Sequence, residues 1–293
     1  METQPVVVIT GATNGLGRLA ALDLARGGAQ LALIARSPQK ADALRREIEQ
    51  AAPGTPVDLF RADLSLLADV ARVGRQIDAH YPRIDVLINN AGVHAFSQRV
   101  TAEGFAEMTA VNYLAPWLLT DILRDKITAS TPARIVTVAS QSSGHTGELN
   151  VRQDLVDTAG YTRRESSKVY GRTKLMDIMF TQELGRQLEG TGVAVTCCGP
   201  GFNVTGLGRD LPLAGALEKI LTVLHVGDPR HGAAIIVRLA TDPAFADSTG
   251  GYFAVKTAEP LECPEAGRDK TIQRALWDAT AGLLRDIRHP NAV

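Results

Sequence analysis

The sequence has 293 residues, of which 45% are hydrophobic and 22% are charged, and its formal net charge is −1. This near-neutral, globular composition argues against nucleic-acid binding and against a polybasic membrane anchor. Three cysteines, two of them the adjacent Cys197 and Cys198, are too few for a disulfide framework. No signal peptide and no apolar run of about 18 residues is found, which predicts a cytoplasmic protein without a membrane anchor.

Apolar strands alternate with helical patterns along most of the chain. The predicted strands are 6–9, 31–35, 57–61, 84–88, 134–139 and 193–197. The predicted helices are a first one ending at 27–28, then 38–51, 66–80, 102–128 with an interruption near Pro116, and one through residue 174 to about 190. Strands separated by helices indicate βαβ units with right-handed crossovers. We therefore predict a single α/β domain over 1–293, with a doubly wound, Rossmann-type parallel sheet and helices on both faces.

Three segments depart from this alternation. Residues 141–166 are polar and without a clear period, so we expect a loop there. Residues 202–226 are rich in leucine and fit either a substrate loop beside the sheet or an ordinary surface helix. The tail, residues 258–293, contains a helical pattern over 271–286 that should pack on the domain.

A glycine-rich turn, Thr10 to Gly17, lies between the first strand and the first helix and reads Thr-Gly-Ala-Thr-Asn-Gly-Leu-Gly. Glycines permit a tight turn and let the backbone approach a pyrophosphate, which then meets the free N–H groups of the helix. The spacing is Gly-x-x-x-Gly-x-Gly, not the commonest dinucleotide fingerprint. In this strand–turn–helix context the turn predicts nucleotide binding.

The end of the second strand indicates which nucleotide is bound. NAD-binding sites carry an acidic residue near this point to hold the ribose 2′-hydroxyl, whereas an arginine accommodates a 2′-phosphate. Here the strand ends in Ala35-Arg36-Ser37 without an acid. Arg36 can form paired hydrogen bonds with a phosphate, assisted by Lys40, which predicts NADP(H). The other interpretation of Arg36 is a solvated surface arginine.

Tyr170 and Lys174 are four residues apart in a predicted helix and therefore share a face. A cation beside a phenol favours the ionised phenol, which suits proton exchange near neutral pH. Ser140 ends the fifth predicted strand. Taken alone, the tyrosine and lysine would be a surface pair. Tyr161 has Glu165 in the equivalent position, so it does not compete.

With these motifs in order, the sequence resembles the short-chain dehydrogenase/reductase family, and its tail resembles the retinol dehydrogenase-like group. The resemblance covers residues 5–205 most clearly, and Asn89-Asn90-Ala91-Gly92 after the fourth predicted strand matches the family's most specific motif. The resemblance implies a catalytic set of Asn112, Ser140, Tyr170 and Lys174. The cofactor contacts indicated by the residues and the resemblance are Gly11, Thr13, Asn14, Gly15, Leu16, Arg36, Asp63, Leu64, Asn90, Ala91, Gly92, Tyr170, Lys174, Pro200, Gly201 and Thr205.

The resemblance implies a role for each catalytic residue. Tyr170 would act as general acid and base toward the substrate oxygen, which Ser140 would also hydrogen-bond. Lys174 would stabilise the ionised phenol and hold the nicotinamide ribose, and Asn112 would support a water-linked proton path to Lys174. Without the resemblance, Asn112 would be interpreted as a core or helix-kink residue and Ser140 as a turn residue. The six histidines show no metal-binding spacing, so we expect no metal.

The predicted function is interconversion of a carbonyl and an alcohol on an apolar small molecule with NADP(H). A nonenzymatic NADP(H)-binding sensor or partner-binding protein is the alternative from another class. Many animal retinol dehydrogenases carry an N-terminal membrane anchor that is not found in this sequence. The resemblance leaves a homodimer open, because the family often pairs through its long helices.

Overall fold

The computed structural model describes residues 4–200 and 228–288, and these form one sheet of eight strands. The strands are β1 Val6–Thr10, β2 Gln30–Ala35, β3 Val57–Arg61, β4 Val86–Asn89, β5 Ala133–Val138, β6 Val193–Gly199, β7 Gly251–Ala254 and β8 Pro260–Leu261. Their order across the sheet is β3-β2-β1-β4-β5-β6-β7-β8. All neighbouring pairs are parallel except β7 with β8, which is antiparallel. The predicted doubly wound sheet is confirmed.

Helices cover both faces of the sheet. They are α1 Gly15–Arg26, α2 Pro38–Ala51, α3 Leu67–His80, α4 Glu107–Thr109, α5 Ala115–Thr128, α6 Val151–Asp154, α7 Ser166–Gln187, α8 Pro229–Thr241, α9 Lys270–Leu283 and α10 Arg285–Arg288. Short 3-10 helices occupy Gln141–His145, Pro243–Phe245 and Glu265–Gly267. Helices α3, α5, α7 and α9 bury their apolar sides on one face, and α1, α2 and α8 on the other.

Each central strand is buried on both faces, which explains its uninterrupted apolar sequence. In β1, Val6 and Val8 pack into the core beneath α3, α5 and α7, whereas Val7 and Ile9 pack beneath α1 and α2. Successive side chains of a strand point to opposite faces, so a strand between two helical layers has no side for polar residues. The two cores lie on opposite faces of the sheet. The edge formed by the carboxyl ends of the strands therefore remains available for a ligand site.

All six predicted strands are observed, although β4 begins at Val86 and not at residue 84. Strand β7, strand β8 and helix α8 were not predicted. Strand β7 has only four residues and begins with Gly251, so it carries too little apolar pattern to be recognised. Helix α8 follows the segment 201–227, which lies outside the described residues together with the predicted substrate loop 202–226.

The helix predicted over 102–128 begins at Glu107 and changes character before Pro116. A π-helical turn, Ala110–Leu114, connects α4 to α5 and carries Asn112. Proline has no N–H to give to the carbonyl four residues earlier, which here belongs to Asn112, so a regular α-helix cannot continue through this point. The predicted interruption is therefore present, and it takes the form of a π-turn.

The segment 141–166, predicted as a loop, contains more structure than its sequence indicates. The 3-10 helix Gln141–His145 begins at Ser140, whose Oγ accepts a hydrogen bond from the N–H of Ser142 at 3.2 Å. Helix α6 begins after Asn150, whose side chain accepts from the N–H of Gln153 at 3.3 Å. Both elements are only one turn long, and side-chain caps of this kind carry no periodicity that a sequence pattern would reveal.

The tail packs on the domain through its helix. Trp277 of α9 lies 5.0 Å from Trp117 of α5 and 5.9 Å from Phe180 of α7, measured between ring centroids. The ring of Trp277 is parallel to that of Phe180, with an interplanar angle of 3°. The tail becomes helical at Lys270, after β8 and the 3-10 helix Glu265–Gly267.

Candidate active site

The glycine-rich turn follows β1 and adopts a backbone that only glycine accepts readily. Gly11 has φ of +67° and Gly15 has φ of +50°, the left-handed region in which other residues are strained. A Cβ on Gly11 would also lie 2.8 Å from the Cα of Ala91. The turn therefore packs closely against the loop that follows β4. Its glycines have the conformation and the packing that a phosphate-binding backbone turn requires.

The loop after β4 braces this turn. Thr10 Oγ1 accepts hydrogen bonds from the backbone N–H groups of Asn90 and Ala91, both at 3.0 Å. The Asn90 side-chain amide donates to the carbonyl oxygens of Thr10 at 2.9 Å and Gly11 at 3.3 Å. Asn90 and Ala91, predicted as cofactor contacts, thus also hold the turn in shape. Asn90 and Ala91 lie close to the turn because β1 and β4 are adjacent in the sheet.

Helix α1 begins with unsatisfied backbone donors. Its N-cap, Asn14, makes no side-chain hydrogen bond to the first turn, and no acidic residue lies there. The first N–H groups of a helix have no partner within the helix, and the positive end of its dipole attracts an anion. The start of α1 can therefore receive a phosphate group, as the sequence predicts.

Arg36 follows β2 directly and is largely exposed, with 73% of its side chain accessible. Its Nη1 lies 3.7 Å from Asp63 Oδ2 on the segment after β3. Asp63 Oδ1 accepts from the N–H of Ser65 at 3.0 Å and from its Oγ at 2.8 Å. A long ion pair between exposed groups is weak, so Arg36 remains available to an anion in this part of the cleft.

Ser140 ends the sequence predicted for β5 and is half-buried. Because its Oγ accepts from the N–H of Ser142, its own O–H remains free to donate elsewhere. Gly171 of α7 packs against this segment, and a Cβ added to Gly171 would overlap the carbonyl oxygen of Ser142. The glycine thus lets α7 approach closely enough to bring Tyr170 and Ser140 into one cleft.

Helix α7 positions Tyr170 and Lys174 one turn apart, as predicted. The phenol of Tyr170 is half-buried, whereas Lys174 is 3% exposed. Lys174 Nζ donates to the carbonyl oxygen of Val138 at 2.7 Å and to Asp177 Oδ2 at 2.8 Å. Burial lowers the pKa of Lys174, but the negative charges of Asp177 and Tyr170 outweigh it and leave that pKa raised.

Asn112 lies behind the cleft and is fully buried. Its Oδ1 accepts from the N–H of Val93 at 2.7 Å, and its Nδ2 donates to the carbonyl oxygen of Val93 and to Thr173 Oγ1, both at 3.0 Å. The side chain joins the loop after β4 to α7 immediately beside Lys174. This agrees with a core hydrogen-bonding role, and its place in a water-linked proton path stays a prediction.

His94 is a site residue that the sequence analysis did not select. Its ring stacks on that of Tyr170, with centroids 4.7 Å apart and an interplanar angle of 20°. Its Nε2 lies 3.3 Å from Ser166 Oγ, and Phe96 packs on it with centroids 4.8 Å apart. Burial lowers the pKa of His94, so the ring is neutral near pH 7. Its position two residues after the Asn-Asn-Ala-Gly motif was the available signal.

One cleft of about 510 Å³ brings these parts together at the carboxyl edge of the sheet. The predicted site residues that line it are Gly11, Thr13, Asn14, Gly15, Leu16, Arg36, Asp63, Leu64, Asn90, Ala91, Gly92, Ser140, Tyr170, Lys174 and Pro200. Gly201 and Thr205 lie outside the described residues. The glycine cradle, the free start of α1 and the cationic Arg36 are a donor set that fits a dinucleotide with phosphate groups.

The remaining expectations concern cysteines, metals and membranes. Cys197 and Cys198 are buried in β6. Among residues 4–200 and 228–288, no cluster of three or more histidine, cysteine, aspartate or glutamate side chains is suited to hold a metal ion. Within the same ranges, none of the helices combines the length and the apolar character needed to cross a bilayer.

Known proteins are similar to this sequence over almost its whole length. A family model described as short chain dehydrogenase matches residues 5–151. Human retinol dehydrogenase 13 is 34% identical over 287 residues, covering 95% of this chain and 84% of that protein. Human retinol dehydrogenase 14 is 36% identical over 298 residues, covering 95% of this chain and 87% of that protein.

A solved structure shares the fold. A blue fluorescent protein from a metagenomic library, in complex with NADPH, matches with a TM-score of 0.67 and 25% sequence identity. The match covers 87% of this chain and 97% of that chain. The sheet and the flanking helices described above are therefore an architecture that holds a nicotinamide cofactor in another protein.

Proposed function

The chain belongs to the short-chain dehydrogenase family of oxidoreductases, in its retinol dehydrogenase-like group, and on that premise we propose that it interconverts a carbonyl and an alcohol on an apolar small molecule with NADP(H). The observation that carries the proposal is that Ser140, Tyr170 and Lys174 line the same cleft as the glycine-rich turn. A dinucleotide-binding protein without chemistry would not need these three side chains beside its cofactor site.

Tyr170 is the proposed acid and base. In reduction the phenol gives its proton to the carbonyl oxygen, and in oxidation the phenolate takes the proton of the alcohol. The free O–H of Ser140 donates to the same substrate oxygen and stabilises the negative charge that develops on it. The ammonium of Lys174, one helical turn from Tyr170, favours the phenolate when the proton has left.

The cofactor would be held by residues that follow β1 and β2 and by Lys174 of α7. Gly11 and the start of α1 would hold the pyrophosphate, and Lys174 would donate a hydrogen bond to the nicotinamide ribose. When bound, the nicotinamide ring supplies or accepts the hydride. Arg36 supports NADP(H) over NAD(H), because no acidic residue ends β2 and Ser37 and Lys40 line the cleft beside Arg36.

An apolar substrate agrees with the relatives and with the aromatic rings beside Tyr170. Two curated relatives are named for retinol, an apolar alcohol. In this chain the ring of His94 lines the cleft and stacks on Tyr170, and the ring of Phe96 packs on His94 at an angle of 37°. Neutral His94 offers an aromatic face without a charge. Substrates of this kind would gain affinity mainly from burial of apolar surface.

A substrate panel tests the proposal. Hydrophobic aldehydes and ketones, among them retinal, are incubated with the protein and NADPH or NADH, and nicotinamide absorbance is followed. We expect NADPH to be consumed with at least one member of the panel, and NADH to be used less well. Tight NADPH binding without turnover on any member would favour the alternative, a nonenzymatic sensor or partner-binding protein.

A further inference from the structure

A buried ion pair lies directly behind the proposed catalytic residues. Lys174 Nζ is 2.8 Å from Asp177 Oδ2, and the two side chains are 4% and 1% exposed. Asp177 is three residues after Lys174 in α7, so both side chains lie on the same helix face. Lys174 lines the cleft, whereas Asp177 does not. Asp177 therefore acts on a ligand only through Lys174.

The charge of Asp177 has one polar partner among the described residues, and that partner is Lys174. Its Oδ2 accepts from Lys174 Nζ, while its Oδ1 is buried and has no hydrogen-bond partner within the described part of the chain. A buried carboxylate is costly unless it is paired. A role for Asp177 in a stabilising hydrogen-bond network thus explains this arrangement poorly. The main effect of Asp177 is on the charge and position of the Lys174 ammonium.

Lys174 needs this partner to stay charged. Burial in a low dielectric disfavours an ammonium, and a nearby carboxylate restores it. An ammonium has three N–H donors, of which Asp177 and the Val138 carbonyl take two. The pair of acceptors fixes where the amine lies, and the third donor remains for a ligand in the cleft.

We propose that Asp177 is a positioning residue that holds Lys174 charged and in place, and thereby sets the pH at which the Tyr170–Lys174 pair loses its first proton. This inference rests on the proposed function, because it gives Lys174 its role beside Tyr170 and the cofactor. The inference also explains why α7 carries an acid at this position. The negative charge of Asp177 would otherwise only weaken the effect of the Lys174 ammonium on the Tyr170 phenol.

The direction of the effect follows from charge alone. Reduction requires a protonated Tyr170 and a charged Lys174, so the rate follows the fully protonated pair. Two interacting groups lose protons in macroscopic steps that belong to the pair. Removing a neighbouring negative charge makes the first step occur at lower pH, whichever of the two groups releases the proton.

The other ionisable groups around the pair do not compete for this role. Tyr113 faces it from the π-helical turn, Cys197 and Cys198 from β6, and His94 stacks on Tyr170 from the loop after β4. Burial raises the pKa of Tyr113 and Cys197, raises that of Cys198 to about 12, and lowers that of His94. All four are therefore neutral between about pH 7 and pH 9.

Asp177→Asn tests the proposal, since it keeps the shape and removes the charge. The alkaline limb of kcat/KM for carbonyl reduction should move to lower pH by about 1–3 units. NADPH affinity, measured by nicotinamide fluorescence without any substrate, should decline over the same lower range, because loss of the first proton from the Tyr170–Lys174 pair removes one positive charge beside the cofactor site. Asp177→Ser, a second neutral variant, should shift both profiles in the same direction if Asp177→Asn proves unable to fold.

Two further variants separate charge from structure. Asp177→Glu keeps the negative charge and should return the limb toward the wild-type position. Glu183→Gln removes another buried, ion-paired carboxylate of α7, which contacts Arg186 and Arg274, and should leave both pH profiles unchanged.

The outcomes distinguish this inference from the proposed function. A folded Asp177→Asn or Asp177→Ser protein with wild-type pH profiles would contradict the inference, and so would equal shifts in Asp177→Asn and Asp177→Glu. Failure of the wild type to reduce any carbonyl would overturn the proposed function, while the NADPH-affinity profile would still test Asp177.

Discussion

At the scale of single residues, the proposed preference for NADP(H) depends on Arg36. Its exposed guanidinium faces Asp63 at 3.7 Å, too far for a strong ion pair. A 2′-phosphate on the adenosine ribose would give Arg36 a doubly charged partner and charge-assisted hydrogen bonds. The net effect on binding is the difference between these bonds and the weak contact with Asp63 that they replace.

Arg36→Ala should therefore weaken NADPH binding by about 10- to 100-fold, which corresponds to about 1.4 kcal/mol per factor of ten. NADH has no 2′-phosphate, so its affinity should stay within about twofold of wild type on the same argument. Dissociation constants for both cofactors provide the measurement. Arg45→Ala, which removes another exposed arginine away from the cleft, should change neither.

Equal loss of affinity for NADPH and NADH in Arg36→Ala would show that Arg36 does not recognise the phosphate. A wild-type protein that prefers NADH would refute the NADP(H) assignment more directly. The double variant Ala35→Asp with Arg36→Ala extends the test, because the new carboxylate repels a phosphate and can accept from a free 2′-hydroxyl. We expect this variant to prefer NADH.

The residues missed by sequence reasoning share one property. Tyr170 and Lys174 were predicted from their spacing, but Asp177 at the next turn was not, since its effect requires burial that no spacing reveals. His94 was missed for the same reason, because its stacking on Tyr170 depends on how the loop after β4 folds back. Sequence patterns identified the groups proposed for the chemistry and not the groups that pack around them.

At the scale of elements, α7 is the part whose position matters most. It carries Tyr170 and Lys174, and it can approach the 141–145 turn only because residue 171 is glycine. A helix through Tyr170 and Lys174 was predicted, whereas this close approach was not. The 3-10 helix and α6 within 141–166 were also missed, because single turns closed by side-chain caps have no period to detect.

Gly171→Ala should damage catalysis through this contact. A methyl group at residue 171 would overlap the carbonyl oxygen of Ser142, so α7 must move away from the turn that begins at Ser140. We expect the unfolding free energy to fall by about 1–3 kcal/mol, as for other overpacked positions, and kcat to fall by about tenfold or more because general acid catalysis needs hydrogen-bond reach. Denaturant unfolding and steady-state kinetics provide the two measurements.

Gly185→Ala is the matched control on the same helix. A Cβ there would lie 2.7 Å from the backbone nitrogen of Gly250, so this variant should also lose stability. Gly185 does not line the cleft, and kcat should remain near that of wild type. Wild-type kcat in a folded Gly171→Ala protein would show that the close packing at the 141–145 turn does not position Tyr170.

At the scale of the whole molecule, the fold follows from alternating apolar strands and helices, and the order of the strands explains the site. Strands β1, β4 and β5 are adjacent, so the glycine-rich turn, the Asn-Asn-Ala-Gly loop and Ser140 meet at one edge. The second half of α7 and the tail helix α9 both pack into the core on one face of the sheet. Motifs distant in sequence thus become one cleft without any unusual geometry.

At this scale, the sheet and the cofactor side of the cleft could be predicted from the sequence. The substrate side could not, because it depends on loops whose shape has no sequence period. The predicted substrate loop, 202–226, lies outside the described residues. Substrate identity accordingly rests on the comparison with retinol dehydrogenases and on the aromatic side chains beside Tyr170. The family resemblance leaves a homodimer open.

The central claim is that Tyr170 transfers the proton in an NADP(H)-dependent carbonyl reduction. The most direct measurement is kcat together with NADPH affinity for Tyr170→Phe, with Tyr161→Phe as control. Tyr161 donates its phenolic hydrogen to the carbonyl oxygens of Ala95 and Ser97 and has no proposed chemistry. We predict that Tyr170→Phe lowers kcat by about 10²- to 10⁴-fold with NADPH affinity nearly unchanged, whereas Tyr161→Phe keeps kcat near wild type. A Tyr170→Phe protein that reduces the substrate at close to the wild-type rate would contradict the account.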